Sequence, residues 1–241
     1  MSPLRNELKF IVHHSVRRLL IERWHRYLVR APYTNEDAVS PVLSLYYDSP
    51  RLTFHYDKLD GFELRQKVRM RTYAREFRPG HLAVLEIKQR VGDRVRKHRH
   101  AIRDFRPSHL DPPNWPIDDP IMRGRFCDLL ERYRLRPSAQ VYYQREAYEG
   151  VVESDVRVTF DTCVTGLHPG ERLTRERLFD RARRLLPDTL AILEIKATRG
   201  LPGWVHEWVG AAELQQQTLP KYCTAVEVLG LPELWRTGVY A

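Results

Sequence analysis

Cysteine is scarce: Cys127, Cys163 and Cys223 are the three in 241 residues. Their number is odd and none forms a Cys-x-x-Cys pair, which argues against a disulfide framework or a zinc site. A reducing, cytoplasmic compartment is the expectation. Long apolar runs are absent as well. None reaches the roughly 18 residues of a membrane-spanning helix, and Met1–Arg18 carries charge throughout, without the apolar segment of a secretory signal. There is no Walker loop, kinase signature or Gly-rich cradle. Any phosphate chemistry would therefore fall to side chains. Linkers are missing too, so one domain over residues 1–241 is expected. The prolines Pro107, Pro112, Pro113, Pro116 and Pro120 gather in what reads as a single loop.

Positive charge is plentiful: 40 Lys and Arg face 31 Asp and Glu, a net charge of +9. A basic balance suits an acidic ligand such as nucleic acid, anionic lipid or phosphate. The total does not choose among them, but the placement of charge along strands does.

Most of the chain alternates with period two, the mark of strands. Strands are expected near Leu4–His13, Pro41–Asp48, Phe62–Tyr73, His81–Val91, Arg94–Ile102, Ala139–Tyr148, Asp155–Asp161 and Thr189–Thr198. Helical spacing of apolar residues marks Arg17–Val29, Met122–Tyr133 and Trp204–Leu214. Eight strands joined by turns or single helices suggest an α+β fold, a closed or nearly closed antiparallel barrel flanked by helices.

Alternate strand residues point to opposite faces. In Phe62–Tyr73, Glu63, Arg65, Lys67, Arg69 and Arg71 share one face, against Leu64, Val68 and Met70. Glu86, Lys88 and Arg90 oppose Leu85 and Ile87; Glu194 and Lys196 oppose Leu193 and Ile195. Arg157, Thr159 and Asp161 oppose Val156, Val158 and Phe160; Arg5, Glu7 and Lys9 oppose Leu8, Phe10 and Val12. Two assemblies fit. The apolar faces can fill a barrel with the charges in solvent, or the charges can line a wet tunnel with helices covering the apolar faces. A basic interior is costly without an anion, so the second assembly, an eight-stranded antiparallel β-barrel tunnel, implies a compact polyanion. Arg grips phosphate bidentately and Lys acts as a point charge. Carboxylates among these cations make sense if Mg2+ or Mn2+ bridges them to phosphate oxygens. Glu86 and Glu7 can also be read as charge balance, and Lys221 as a surface lysine. Lys97 shares parity with Val95, and Arg145 with Val141, and a bulge or twist would turn either toward the charged side.

Several segments resemble a known family. Arg5-Asn6-Glu7-Leu8-Lys9-Phe10 is similar to the opening Glu-x-Lys strand of triphosphate tunnel metalloenzymes. Ser44–Ser49, Lys67–Tyr73 and Leu85-Glu86-Ile87-Lys88 follow in that family's order. Tyr143–Tyr148, Arg157–Thr162, a second Leu-Glu-Ile-Lys at Leu193–Lys196, and Pro220-Lys221-Tyr222-Cys223 resemble its VTC branch, which holds the catalytic domain of polyphosphate polymerase. The resemblance covers about Arg5 to Val228 and implies transfer of the terminal phosphate of ATP to polyphosphate. It implies phosphate binding by Lys9, Arg69, Arg71, Lys88, Lys97, Arg145 and Arg157. Lys196 joins them by its strand face, Glu194 becomes the metal carboxylate with Glu86 and Glu7 as further candidates, and Lys221 becomes the transfer lysine. Pro220 stands where the family has Ser, and Thr218 where eukaryotic members have a second lysine.

Four functions follow from the same residues: a polymerase, a triphosphatase with water as acceptor, a non-catalytic polyphosphate or nucleotide sensor, and a nucleic-acid binder. The last would interleave exposed aromatics with the basic strand, which this sequence does not, so the expected partners are ATP, polyphosphate or triphosphate and not nucleic acid. The sequence specifies no membrane partner protein. A multi-point phosphate cradle predicts affinity falling from nucleoside triphosphate to diphosphate to monophosphate. Titration calorimetry with the three nucleotides checks this, and equal affinities would contradict it.

Overall fold

The computed structural model describes residues 6–32, 39–92, 94–180 and 183–236, the side chains of 234–236 excepted. Leu4 and Arg5, at the expected start of the first strand, lie outside the described residues. In chain order the elements are β1 (Asn6–His13), α1 (His14–Trp24), β2 (Leu28–Arg30), β3 (Ser40–Asp48), α2 (Thr53–Leu59), β4 (Leu64–Thr72), β5 (Ala83–Val91) and β6 (Arg94–Ile102). Then come α3 (Pro120–Tyr133), β7 (Arg136–Gly150), β8 (Arg157–Leu167), α4 (Arg175–Phe179), β9 (Leu190–Ala197), α5 (Gly203–Ala211), α6 (Lys221–Val228) and α7 (Leu231–Arg236). No helix among the described residues is long and apolar enough to cross a membrane. The contacts divide the chain into two compact units.

One unit comprises Met1–Pro41, Tyr143–Val164 and Leu186–Pro220. Its strand order is β1-β9-β8-β7, with β2 also on β7. The apolar residues expected to share a face do so. Phe10 and Val12 of β1, Val158 and Phe160 of β8, and Leu193 and Ile195 of β9 form one core with Leu20 and Trp24 of α1 and Trp204 and Val205 of α5. Trp24 meets Trp204 edge-on at 5.4 Å, and Tyr27 stacks on Trp204 at 5.0 Å. Helix α1 starts three residues before the expected Arg17, because His13 caps it by accepting from Ser15 N at 3.2 Å. It also ends early. Tyr27 and Leu28 keep the apolar pattern going by packing from a turn and from β2, which pairs with Glu149 and its neighbours rather than extending the helix.

The other unit comprises Val42–Tyr142, Thr165–Leu185 and Lys221–Ala241. Its strand order is β7-β3-β4-β5-β6. Val68 and Met70 of β4 and Leu85 and Ile87 of β5 pack beneath Met122, Phe126 and Leu129 of α3 and Phe54 of α2. Helix α3 begins at Pro120 because proline suits a first helical turn and Asp119 caps it, accepting from Ile121 N and Met122 N. The described strands number nine, β2 being the addition, and the ladders are open: β1 pairs with β9 alone and β6 with β5 alone. In each unit helices cover the apolar face, as the second of the two assemblies requires, which leaves the charged face on the opposite side.

Asp48 fixes the second unit at one point. Its Oδ1 accepts from Ser49 N at 2.7 Å and Phe54 N at 2.9 Å, and its Oδ2 from His55 N at 3.1 Å and Tyr222 OH at 2.6 Å. Burial pushes its carboxyl up to about 6 against the pull of these donors. The contacts hold the start of α2 and the first turn of α6 together. Asp48→Asn would set an amide NH2 against donors, so it should cost about 2 kcal/mol. A denaturation midpoint unchanged from wild type would show that the network is dispensable.

Candidate functional site

The register of β4, β5 and β6 places the second unit's charges in rows. Arg65 lies opposite Arg90, which lies opposite Val95; Lys67 opposite Lys88 and Lys88 opposite Lys97; Arg69 opposite Glu86 and Glu86 opposite Arg99. Arg71 lies opposite Val84. Cross-strand partners share a face. This face of three strands therefore carries eight cations (Arg65, Lys67, Arg69, Arg71, Lys88, Arg90, Lys97 and Arg99) and one carboxylate, Glu86. Lys97 needs no bulge to reach it. Val95 shares its side, but β6 is an end strand and Val95 is 48% exposed, so that side of β6 was never core.

Glu86 organises this face. Its Oε2 accepts from Arg69 Nε at 2.5 Å, and its Oε1 accepts from Arg99 Nε at 2.7 Å and Lys97 Nζ at 3.0 Å. Burial opposes its ionisation, yet Arg69, Arg71 and Lys97 hold it well below the usual carboxylate range. Loss of water, opposed by Glu86 and reinforced by Arg69 and Arg99, lowers the Lys97 ammonium to about 7. Tyr46 joins them: its hydroxyl accepts from Arg69 Nη1 at 3.2 Å. Burial alone would raise that phenol, but Arg69, Arg71 and Lys67 bring it below its ordinary value. Arg71 Nε donates to Ser44 Oγ at 3.2 Å. Tyr46, Ser44 and Arg99 were not expected at the site. Their signal was strand parity alone, and for Tyr46 the structural neighbours Tyr47 and Asp48 masked it.

Lys221 is the first residue of α6, the helix start that Pro220 favours. Its neighbour Tyr222 stacks on Tyr46 at 5.0 Å and donates to Asp48. The turn bearing Lys221 is thus tied through Tyr222 and Tyr46 to Arg69.

The first unit's polar face is nearly balanced. Glu7 lies opposite Lys196, and Lys196 opposite Arg157; Lys9 lies opposite Glu194, and Glu194 opposite Thr159. Lys9 Nζ is 2.8 Å from Glu7 Oε1 and 3.5 Å from Glu194 Oε1. Lys196 Nζ is 2.7 Å from Glu194 Oε1 and 3.6 Å from Glu7 Oε1. The two carboxyls share both lysines. Burial opposes ionisation of Glu194, but the cations of Lys196, Lys9 and Arg145 hold it well below the usual range. Arg145 is clamped by Asp161, donating from Nε to Oδ1 at 2.6 Å and from Nη2 to Oδ2 at 2.8 Å, with Glu194 Oε2 at 3.8 Å. It faces away from Glu146 and Tyr148, which belong to the side under α1, so simple alternation delivers it to the polar side. Asp161 is a partner the sequence reading placed on this face without giving it a role.

The donor chemistry can be tested against Mg2+ or Mn2+. Among the described residues no group of three or more His, Cys, Asp or Glu side chains forms a protein cage. Small divalent cations are, however, commonly held by one or two carboxylates together with waters and phosphate oxygens. The Glu7–Glu194 pair fits that pattern. Glu86 does not, since Arg69, Arg99 and Lys97 hold both of its oxygens at 2.5 to 3.0 Å, whereas Glu194 Oε2 meets Arg145 only at 3.8 Å. Glu86→Gln should therefore destabilise the second unit by about 2 kcal/mol, and added inorganic tripolyphosphate should restore part of the loss by binding the exposed cations. Melting curves with and without the anion check this; no loss, or no restoration, would contradict the role given to Glu86.

Comparison with known proteins gives these faces a family. No curated protein sequence matches the chain. A solved structure described as a candidate adenylate cyclase from Bacillus halodurans aligns with a TM-score of 0.51 at 11% identity, covering 90% of this chain and 95% of that one. At that identity the likeness is one of fold, an α+β arrangement on a mainly antiparallel sheet. The sequence profile of the VTC domain matches residues 4–230. That match takes in every strand carrying the cationic and carboxylate faces, and the chain belongs to the VTC domain family.

Proposed function

We propose that the domain is a metal-dependent phosphoryl transferase that moves the γ-phosphate of ATP onto a polyphosphate chain. Membership of the VTC family supports a role related to nucleotides or polyphosphate. The observation that carries the reading is the face of β4–β6, with eight cations to one carboxylate. Such a face is self-repelling until a polyanion meets it.

In this reading Arg69, Arg71, Lys88 and Lys97 take phosphate oxygens in the second unit, and Glu86 anchors their guanidinium and ammonium groups. Lys9, Arg145, Arg157 and Lys196 take phosphate oxygens in the first. Glu194 and Glu7 hold Mn2+ or Mg2+, which when bound neutralises charge on the phosphates. Phosphoryl transfer asks little covalent chemistry of a protein and depends on positioning and charge stabilisation. Lys221 is the residue assigned to transfer itself. Its place at the head of α6, one residue from the Tyr222 that stacks on Tyr46, gives it a fixed base.

A triphosphatase would use the same residues with water as acceptor. The feature that favours it is Pro220 and Thr218 in place of the serine and second lysine of the resembling segment. Incubation with labelled ATP and Mn2+, followed by chain-length analysis, separates the readings: long chains support the polymerase, free phosphate the hydrolase, and neither product a sensor. Lys221→Ala should lower kcat by about 100-fold with KM for ATP little changed, the mark of an interaction made mainly in the transition state. Arg69→Ala should raise KM as well. Full turnover in Lys221→Ala would remove Lys221 from the transfer step.

A further inference from the structure

One buried hydroxyl on the first unit's polar face has no hydrogen-bond partner among the described residues. Thr159 of β8 is 3% exposed and lies directly opposite Glu194 of β9. Its Oγ1 is buried and makes no hydrogen bond among the described residues. An unpartnered buried hydroxyl is destabilising, and the strand does not call for one. Valine has nearly the same shape, suits a β-strand equally well, and occurs at Val158 and Val164 on the same strand. The surroundings are those of an anion site. Along this side of β8 the neighbours of Thr159 are Arg157 and Asp161. Arg145 contacts both that Asp161 and the Glu194 opposite Thr159. Glu194 is also engaged by Lys9 of β1 and by Lys196 of its own strand, whereas the hydroxyl stands on the β8 side, the strand that carries Arg157.

We infer that Thr159 is a ligand-binding residue whose hydroxyl donates to a phosphate oxygen of the bound polyanion, beside the guanidiniums of Arg145 and Arg157. The inference rests on the reading of this face as phosphate-binding. The two guanidiniums supply charge, and the hydroxyl supplies a short, directional donor. A ligand oxygen is the acceptor that the described residues do not offer.

The probe is inorganic tripolyphosphate, titrated calorimetrically into the full chain at fixed salt, with Mn2+ present and absent. Thr159→Val should bind about 10-fold more weakly, as expected for one lost hydrogen bond to a charged acceptor. Thr159→Ser, which keeps the hydroxyl, should stay within about 2-fold of wild type, the same bond being retained. Without ligand, Thr159→Val should melt no lower than wild type, because it replaces an unpartnered polar atom with a methyl group. Equal binding by wild type and Thr159→Val overturns the inference while leaving the phosphate reading intact. A lower melting temperature for ligand-free Thr159→Val also overturns it, since the hydroxyl would then be serving the fold. A wild-type chain that binds no tripolyphosphate overturns the phosphate reading and this inference with it.

Discussion

Like charges set side by side on a β-sheet repel, and the polar faces of this protein are shaped by how that repulsion is held in check. Residues two apart on a strand stand about 7 Å from one another, where two cations at the edge of a protein repel by about 2 kcal/mol. The face of β4–β6 concentrates eight such charges and sets one carboxylate among them. Glu86 contacts Arg69, Lys97 and Arg99 at once, so it draws the cations together instead of neutralising them. The face of β1, β9 and β8 follows another plan. There Glu7 and Glu194 share Lys9 and Lys196, while Asp161 fixes Arg145. In the proposed reading the first arrangement meets a polyanion, and the second sets a carboxylate pair that would hold a divalent cation beside a guanidinium that would hold phosphate.

The scaffold frees these faces by burying their reverse sides. Strands β1, β4, β5, β8 and β9 present charge on one side and Val, Leu, Ile, Phe or Met on the other, and the helices cover that side in both units. The second unit adds a polar lock. Asp48 gathers two amides at the start of α2, its neighbour's amide and the phenol of Tyr222. Tyr222 then stacks on Tyr46, which accepts from Arg69. Packing, helix placement and cationic geometry are therefore linked through two tyrosines, and the same link positions Lys221.

Much of this was legible in alternation alone. The period of two placed the strands and sorted apolar from charged sides, and the aromatic spacing of Trp24 and Trp204 marked helices that cover the sheet. Parity misled where it was combined with an assumption about burial. Lys97 read as misplaced because it shares a side with Val95, yet on an end strand that valine is exposed. Tyr46 meets Arg69 across two strands, a contact that parity alone does not reveal. Helix α2 carries no helical apolar repeat: its start depends on the Asp48 carboxylate at the end of β3 and on Leu52 in the left-handed region at φ 54°. The β2 strand was hidden inside a helical apolar pattern. Asp161 and Thr159 lay in plain view on the charged side of β8, but the use of a hydroxyl or a clamping carboxylate depends on neighbours from other strands.

The most direct test of the account is a crystal structure with Mn2+ and a non-hydrolysable ATP analogue, with the metal located by its anomalous signal. The account predicts phosphate oxygens against Arg69, Arg71, Lys88 and Lys97, and manganese bound by Glu194 and Glu7. Phosphate bound away from the charged faces, or manganese on other carboxylates, would contradict it.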